Sequence, residues 1–272
     1  MSNAYTFYGM NRDPFPREIR GTDQRYLSKD LTGALNIGRY GVQERGISMI
    51  CGDIGRGVSY SAYCLSEDLS SSRYNICYMP VCHVSPRDFY KELCRITGAV
   101  PLGKGRQAMI TAIRKLADEQ KSKGRPLVLI LDNAQNIPEL VFMDLLTLTA
   151  EDYYIANRMS LLLYGTKNLK YRFIMDTIPE LEQSLVSHYQ FKGLSEDETV
   201  EYIFHRLKNA GAGEEILKPN IARSLYSLSV SGTCREIDNI MRDAIMIGSQ
   251  AGRKEIDFEV IRAAAANRKL NS

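Results

Sequence analysis

Short apolar runs that alternate with stretches of helical period constrain this chain more than any other feature. Ile47 to Cys51, Ile76 to Pro80, Leu127 to Leu131 and Ser160 to Tyr164 are such runs, a shorter fifth spans His188 to Phe191, and the intervals read as helices near 58–69, 86–96, 106–121 and 138–149. A strand with one wet face alternates apolar and polar residues, whereas a strand buried on both faces is apolar throughout. The pattern therefore predicts an α/β fold, a parallel sheet covered by helices on both faces. From Ser195 the texture changes. Ser195-Glu-Asp-Glu198 is built like a capping box, and the remainder reads as helices near 196–209, 219–229, 233–249 and 258–268, broken at Gly211 to Gly213, Ser231-Gly232 and Gly248 to Gly252. The expected organisation is an α/β domain over residues 1–193 and a helical domain over 194–272.

Composition narrows the class. At 272 residues, with 44% hydrophobic and 25% charged, the chain has enough material for a real core, and neither disorder nor a disulfide-stapled miniprotein fits. No apolar run approaches the roughly 20 residues that cross a bilayer, and residues 1–20 lack the layout of a signal peptide, so the expected address is the cytoplasm. Cys51, Cys64, Cys77, Cys82, Cys94 and Cys234 form no CxxC and have no histidine at ligand spacing, which predicts reduced core thiols rather than a metal centre. A net charge of +3 says nothing about partners. His83, His188 and His205 are far apart in sequence and are assigned no catalytic role. Tyr153-Tyr154 and Tyr171 read as helix packing as readily as base-stacking platforms.

Chemistry enters between the first strand and the first helix after it. Gly52-Asp-Ile-Gly-Arg-Gly-Val-Ser59 has the frame GxxxxGxS, whose glycines let successive backbone N–H groups turn around phosphate oxygens at a helix N-terminus. Alone, the same frame is also that of a plain glycine turn. A phosphate loop carries lysine before the hydroxyl residue, and here that residue is Val58. The apolar run Leu127 to Leu131 ends in Asp132, a carboxylate on the rim where open α/β sheets bind ligands. An ATPase that polarises its attacking water has glutamate next, and this chain has Asn133, whose amide can position water but cannot accept its proton.

Taken together, several segments resemble the AAA+ ATPases of the ExeA type, which include the general secretion pathway A proteins and the transposition ATPases of the TnsC, TniB and IstB kind. Tyr8-Gly-Met-Asn-Arg-Asp-Pro-Phe15 looks like the family's FGLxxxPF opening, Gly46 to Ser59 like its GxxxxTGxxGxGKT stretch, and Asp132-Asn-Ala-Gln135 like DEAQ. Tyr164-Gly-Thr-Lys167 sits where the family has its GQP-like sensor 1 turn, and Leu181 to Tyr189 resembles LRQRIxxxY. Leu194 to Leu207 resembles the opening helix of the lid, and Ser231-Gly-Thr-Cys-Arg-Glu-Ile-Asp-Asn239 the sensor 2 motif SGGxPRxIN. The resemblance implies a three-layer αβα P-loop core with a helical lid that binds ATP and Mg²⁺. Nucleotide would then lie on Gly52, Asp53, Ile54, Gly55, Arg56, Gly57, Val58, Ser59, Tyr60, Thr166 and Arg235, with Ser59 and Asp132 at the metal and Asp132 and Asn133 in the catalytic positions. It also implies a homo-oligomer, DNA, and a transposase-like or secretion-type protein as partners.

Three positions depart from that pattern. The Walker A lysine is Val58, the Walker B glutamate is Asn133, and the arginine that would reach a neighbouring subunit's γ-phosphate is Ser184. Arg56, within the loop, and Lys167, at the turn that resembles sensor 1, are the cations that could compensate, with Arg56 expected to be a solvated loop residue. The sequence thus leaves three readings: a nucleotide-binding scaffold with little hydrolysis, a slow ATPase using substitute groups, and an interaction module that binds no nucleotide.

Overall fold

The computed structural model describes residues 2–17, 24–149, 157–175 and 184–268. They form two compact units, one of Leu31–Ile54 and Val58–Phe191, the other of Met1–Asp30, Gly55–Gly57 and Lys192–Ser272.

The first unit is built on five strands, β1 (Ile47–Gly52), β2 (Asn75–Pro80), β3 (Leu127–Asp132), β4 (Ser160–Thr166) and β5 (Leu185–Gln190), in the order β2-β3-β4-β1-β5. All four pairings are parallel. The central strands β1 and β3 are buried at every residue, which is why they lack polar alternation. Their side chains divide by parity. Met49, Leu129, Leu131, Leu161 and Leu163 pack beneath α4 (Pro86–Thr97), α5 (Arg106–Ser122), α6 (Glu139–Thr149) and α7 (Lys167–Met175). Ile50, Val128, Ile130, Leu162 and Tyr164 pack beneath α2 (Lys29–Gln43) and α3 (Val58–Asp68). The result is the expected three-layer αβα arrangement. Helices α2 and α7 were not anticipated from sequence. Gly33, Gly38 and Gly41 break the helical pattern of α2, yet its approach to the sheet requires them: a Cβ on Gly41 would lie 2.0 Å from Ser48 Oγ, and one on Gly33 2.6 Å from the Tyr189 ring.

The second unit contains α1 (Ser2–Phe7), α8 (Glu196–Asn209), α9 (Pro219–Leu228), α10 (Cys234–Gln250) and α11 (Phe258–Ala266). The capping box at its start is present: Ser195 Oγ accepts from the Glu198 amide at 3.2 Å, and Glu198 Oε2 accepts from the Ser195 amide at 3.0 Å. The amino-terminal residues, assigned with the sheet in the sequence reading, group here instead. Tyr8, Met10 and Phe15 are apolar enough to require a core, and they find it with Tyr202, Ile203, Leu207, Met241, Ile245 and Ile261. Hydrogen bonds fix them, from Tyr8 Oη to the Arg253 carbonyl at 2.8 Å and from the Arg242 guanidinium to the Phe15 carbonyl. Asp30 closes the same unit by accepting the Lys192 and Gly193 amides at 2.7 and 2.8 Å.

All six cysteines are free thiols, but not all are core: Cys82 is exposed and Cys234 half-buried. Cys82 lies just past the end of β2, where the chain has already left the sheet interior. Tyr171 is exposed on α7, and Tyr153 and Tyr154 lie outside the described residues. Among the described residues, no helix is long and apolar enough to cross a membrane.

Candidate functional site

Strand order places the loop after β1 at a point where the chain reverses direction. From β1 the chain passes through α3 to β2 at one edge, and from β4 through α7 to β5 at the other, with β1 lying between β4 and β5. Open parallel sheets bind ligands at such a switch point, beyond the carboxyl ends of the strands.

In the sheet unit, Gly52 ends β1 and has no room for a side chain, because a Cβ there would lie 2.6 Å from Phe191 Cβ. Asp53 pairs with Lys167 at 2.8 Å, and Ile54 projects into solvent, 73% exposed. Val58 turns the other way. It is buried in the apolar cluster under α2 and α3, and Tyr60 packs against the same cluster. Ser59, one residue into α3, donates from Oγ to Asp132 Oδ1 at 3.0 Å.

Asp132 is the most heavily solvated-by-protein carboxylate of the site. Only 3% exposed, it accepts on Oδ1 from Ser59 and from the Asn133 amide at 2.9 Å, and on Oδ2 from the Tyr78 hydroxyl at 2.8 Å. Charge-assisted bonds of this kind hold a carboxylate in one orientation. Burial first, and then the charge and hydrogen bond of Asp132, push the Tyr78 phenol well above its ordinary range, so it stays a donor. Asn133 has φ of 57°, a left-handed conformation that asparagine tolerates better than most residues. Gln135, the last residue of the DEAQ-like segment, accepts the Thr166 amide at 3.1 Å on Oε1. Thr166 Oγ1 is buried without a hydrogen-bond partner among the described residues.

In the helical unit, Gly55 and Gly57 have φ of 85° and 104°, conformations that glycine adopts at no steric cost. The Gly55 carbonyl accepts the backbone N–H of Arg235, the second residue of α10, at 3.1 Å. Arg56 is not a solvated tip. It is half-buried and its guanidinium donates to the Lys192 carbonyl, which commits it to the protein. The Arg235 side chain, by contrast, is exposed and makes no hydrogen bond or ion pair among the described residues. Ser184 precedes β5, while Leu181, Glu182 and Gln183 of the same motif lie outside the described residues.

The donor set fits a magnesium nucleotide. A hydroxyl and a carboxylate are already paired, as a hard cation with oxygen ligands requires, and the unsatisfied Thr166 hydroxyl is a donor in want of an acceptor. Sequence reasoning missed Tyr78, the hydrogen bond of Gln135 and the pairing of Asp53 with Lys167. Gln135 carried a signal in its place in the DEAQ-like segment, and Asp53 and Lys167 were each named, though not as partners.

Residues 41–173 match the family described as AAA domain. The General secretion pathway protein A of Aeromonas hydrophila is 24% identical over 253 residues, covering 90% of this chain and 44% of that protein. The chain therefore spans less than half the length of that relative. The Aeropyrum pernix ORC2 protein, solved as ADPNP-ADP complexes, superposes with a TM-score of 0.69 at 16% identity, covering 94% of this chain and 71% of that one. Drosophila ORC, solved bound to DNA, gives 0.59 at 15% identity, covering 94% and 70%. The chain thus shares the αβα fold of these solved neighbours, and the resemblance read from the sequence stands.

Proposed function

We propose that this chain binds ATP with Mg²⁺, hydrolyses it slowly or not at all, and acts as a nucleotide-responsive scaffold or regulator in an assembly on DNA of the transposition type. The Ser59–Asp132 hydrogen bond carries this reading. It keeps the hydroxyl and carboxylate that a metal nucleotide needs 3.0 Å apart, while the groups that hydrolysis needs are replaced.

Magnesium, when bound, neutralises charge on the phosphate oxygens. The chain's own residues do the rest. Ser59 would ligate the ion, Asp132 would orient the Ser59 hydroxyl and the ion's water, and the amides of Gly52 to Ser59 would donate to phosphate. Thr166 offers its hydroxyl as a further donor. Asn133 can place a water but cannot take its proton, Val58 presents only methyl groups, and Ser184 is too short to reach a neighbouring subunit's phosphate as an arginine would. Arginine fingers are worth about 10³ to 10⁵ in rate, so their replacement alone leaves a binding site rather than an engine.

The DNA and nucleotide in the names of the structural neighbours support testing both as ligands here. A homo-oligomer and a transposase-like or secretion-type protein partner follow from the same resemblance. Titration calorimetry with ATP and Mg²⁺, followed by phosphate release with and without DNA, tests the reading. Binding without release supports it. Turnover abolished by Asp132→Ala would make the protein a slow ATPase, and absence of any binding would make it an interaction module.

A further inference from the structure

The ammonium missing from position 58 has a counterpart on the neighbouring strand. Lys167 opens α7 directly after β4, whose last residue, Thr166, is the Cα partner of Gly52. From there its Nζ reaches Asp53 Oδ2, 2.8 Å away, so a cation from one strand end lies on the first residue after the neighbouring strand. The two side chains are 39% and 37% exposed, and exposed pairs contribute little to stability. Their placement has a larger consequence for binding. A carboxylate in a polyphosphate loop repels the ligand unless it is neutralised, and a lysine ammonium on a flexible stem can exchange one anion for another without moving its backbone. The adjacent Thr166 hydroxyl, buried and unpartnered among the described residues, is a second donor at the same strand end.

We propose that Lys167 is the phosphate-contacting cation of this chain: it rests on Asp53 when the loop is empty and moves to the terminal phosphates of a bound nucleoside triphosphate, in place of the lysine that Val58 replaces. This rests on the nucleotide-binding reading above. It adds that the loop exchanges an internal anion for an external one, so that Asp53 competes with the ligand.

The test is a double-mutant cycle read by binding of fluorescently labelled ATP with Mg²⁺, with labelled AMP as the control that lacks the terminal phosphates. Lys167→Ala should weaken ATP binding about tenfold or more, the scale of one charge-assisted contact, and leave AMP unchanged. Asp53→Asn should tighten ATP binding. The decisive arm is the double variant, which should bind ATP about tenfold more weakly than Asp53→Asn alone. If the double variant equals Asp53→Asn, Lys167 merely masks Asp53 and the proposal fails. If Lys167→Ala binds ATP as well as the unmutated chain does, the proposal also fails while nucleotide binding stands. If the unmutated chain binds no ATP, the reading beneath both is wrong. Lys167→Gln, which keeps the length and polarity of the stem, serves as the second variant, and thermal melting confirms that each variant is folded.

Discussion

The phenol of Tyr78 donates to Asp132 Oδ2 at 2.8 Å, on the opposite side of the carboxylate from the oxygen that Ser59 and the Asn133 amide share. Asp132 is thereby gripped from three elements before any ligand arrives. Tyr78→Phe removes a hydrogen bond to a charged group at a partly exposed position and should cost about 1–2 kcal/mol of unfolding free energy. Urea denaturation at neutral pH measures it, and an unchanged midpoint would show that the bond does not persist in solution.

Restoring one catalytic group should not restore turnover. Asn133→Glu places a longer side chain at φ of 57°, which costs about 1 kcal/mol relative to asparagine, and it leaves Val58 and Ser184 in place. Phosphate release should stay at background for the unmutated chain and for Asn133→Glu, with or without DNA. A rise of tenfold or more in the variant would mean that the general base alone was limiting.

Arg235 presents an exposed guanidinium, without a partner among the described residues, beside a backbone that is already engaged, since its own amide donates to the Gly55 carbonyl. Arg235→Ala leaves that backbone bond intact, so stability without ligand should change by no more than about 0.5 kcal/mol. ATP affinity should fall if the side chain meets phosphate. A drop in melting temperature with unchanged ATP affinity would assign Arg235 a structural role.

Acidity should matter in the helical unit. Burial raises Asp238 from 3.8 to about 6, against the opposing effects of the Tyr202 hydrogen bond and of Arg206 and Arg242. Because the folded chain holds this proton more tightly than the unfolded one, the stabilising contribution is full below about pH 4, is lost as pH rises towards 6, and is absent above it. Asp238→Asn keeps an acceptor for the Tyr202 hydroxyl, which bonds Oδ1 at 2.7 Å. The side chain retains some access to solvent, so the variant should gain about 1–2 kcal/mol at pH 7, less than the full conversion of the shift. The gain should shrink to nothing near pH 4. Denaturation midpoints across pH 4–8 check this, and a constant difference would show that Asp238 does not titrate in that window.

The strands were legible because burial on both faces writes itself into composition. Leu127 to Asp132 has no polar alternation to misread, and its terminal carboxylate announces the rim. The fifth strand, with its mixed exposure, gave a weaker pattern, and its observed range Leu185–Gln190 starts three residues before the run that suggested it. Helix α2 was illegible for a different reason. Glycine disfavours helix by about 1 kcal/mol relative to alanine, and three of them read as a loop until the closeness of the sheet explains them. The glycine loop and Asp132 could be picked out from spacing and chemistry, and Lys167 from its place at the sensor 1-like turn. Tyr78 and the pairing of Lys167 with Asp53 could not, because each contact runs between strand ends, and nothing local in sequence says which strand ends will be neighbours.

Asp30 accepts the amides of residues 162 and 163 positions later, and Tyr8 bonds a carbonyl 245 positions away. At about 5–20 residues per second, a ribosome takes on the order of 10–50 s to supply those partners. Throughout that interval Tyr8, Met10 and Phe15 have been made but have nothing to bury against, while the whole of the intervening sheet unit is emerging. A segment synthesised well before its partners is therefore among the last to be enclosed. During synthesis, that segment is where a holding chaperone would find apolar residues to cover.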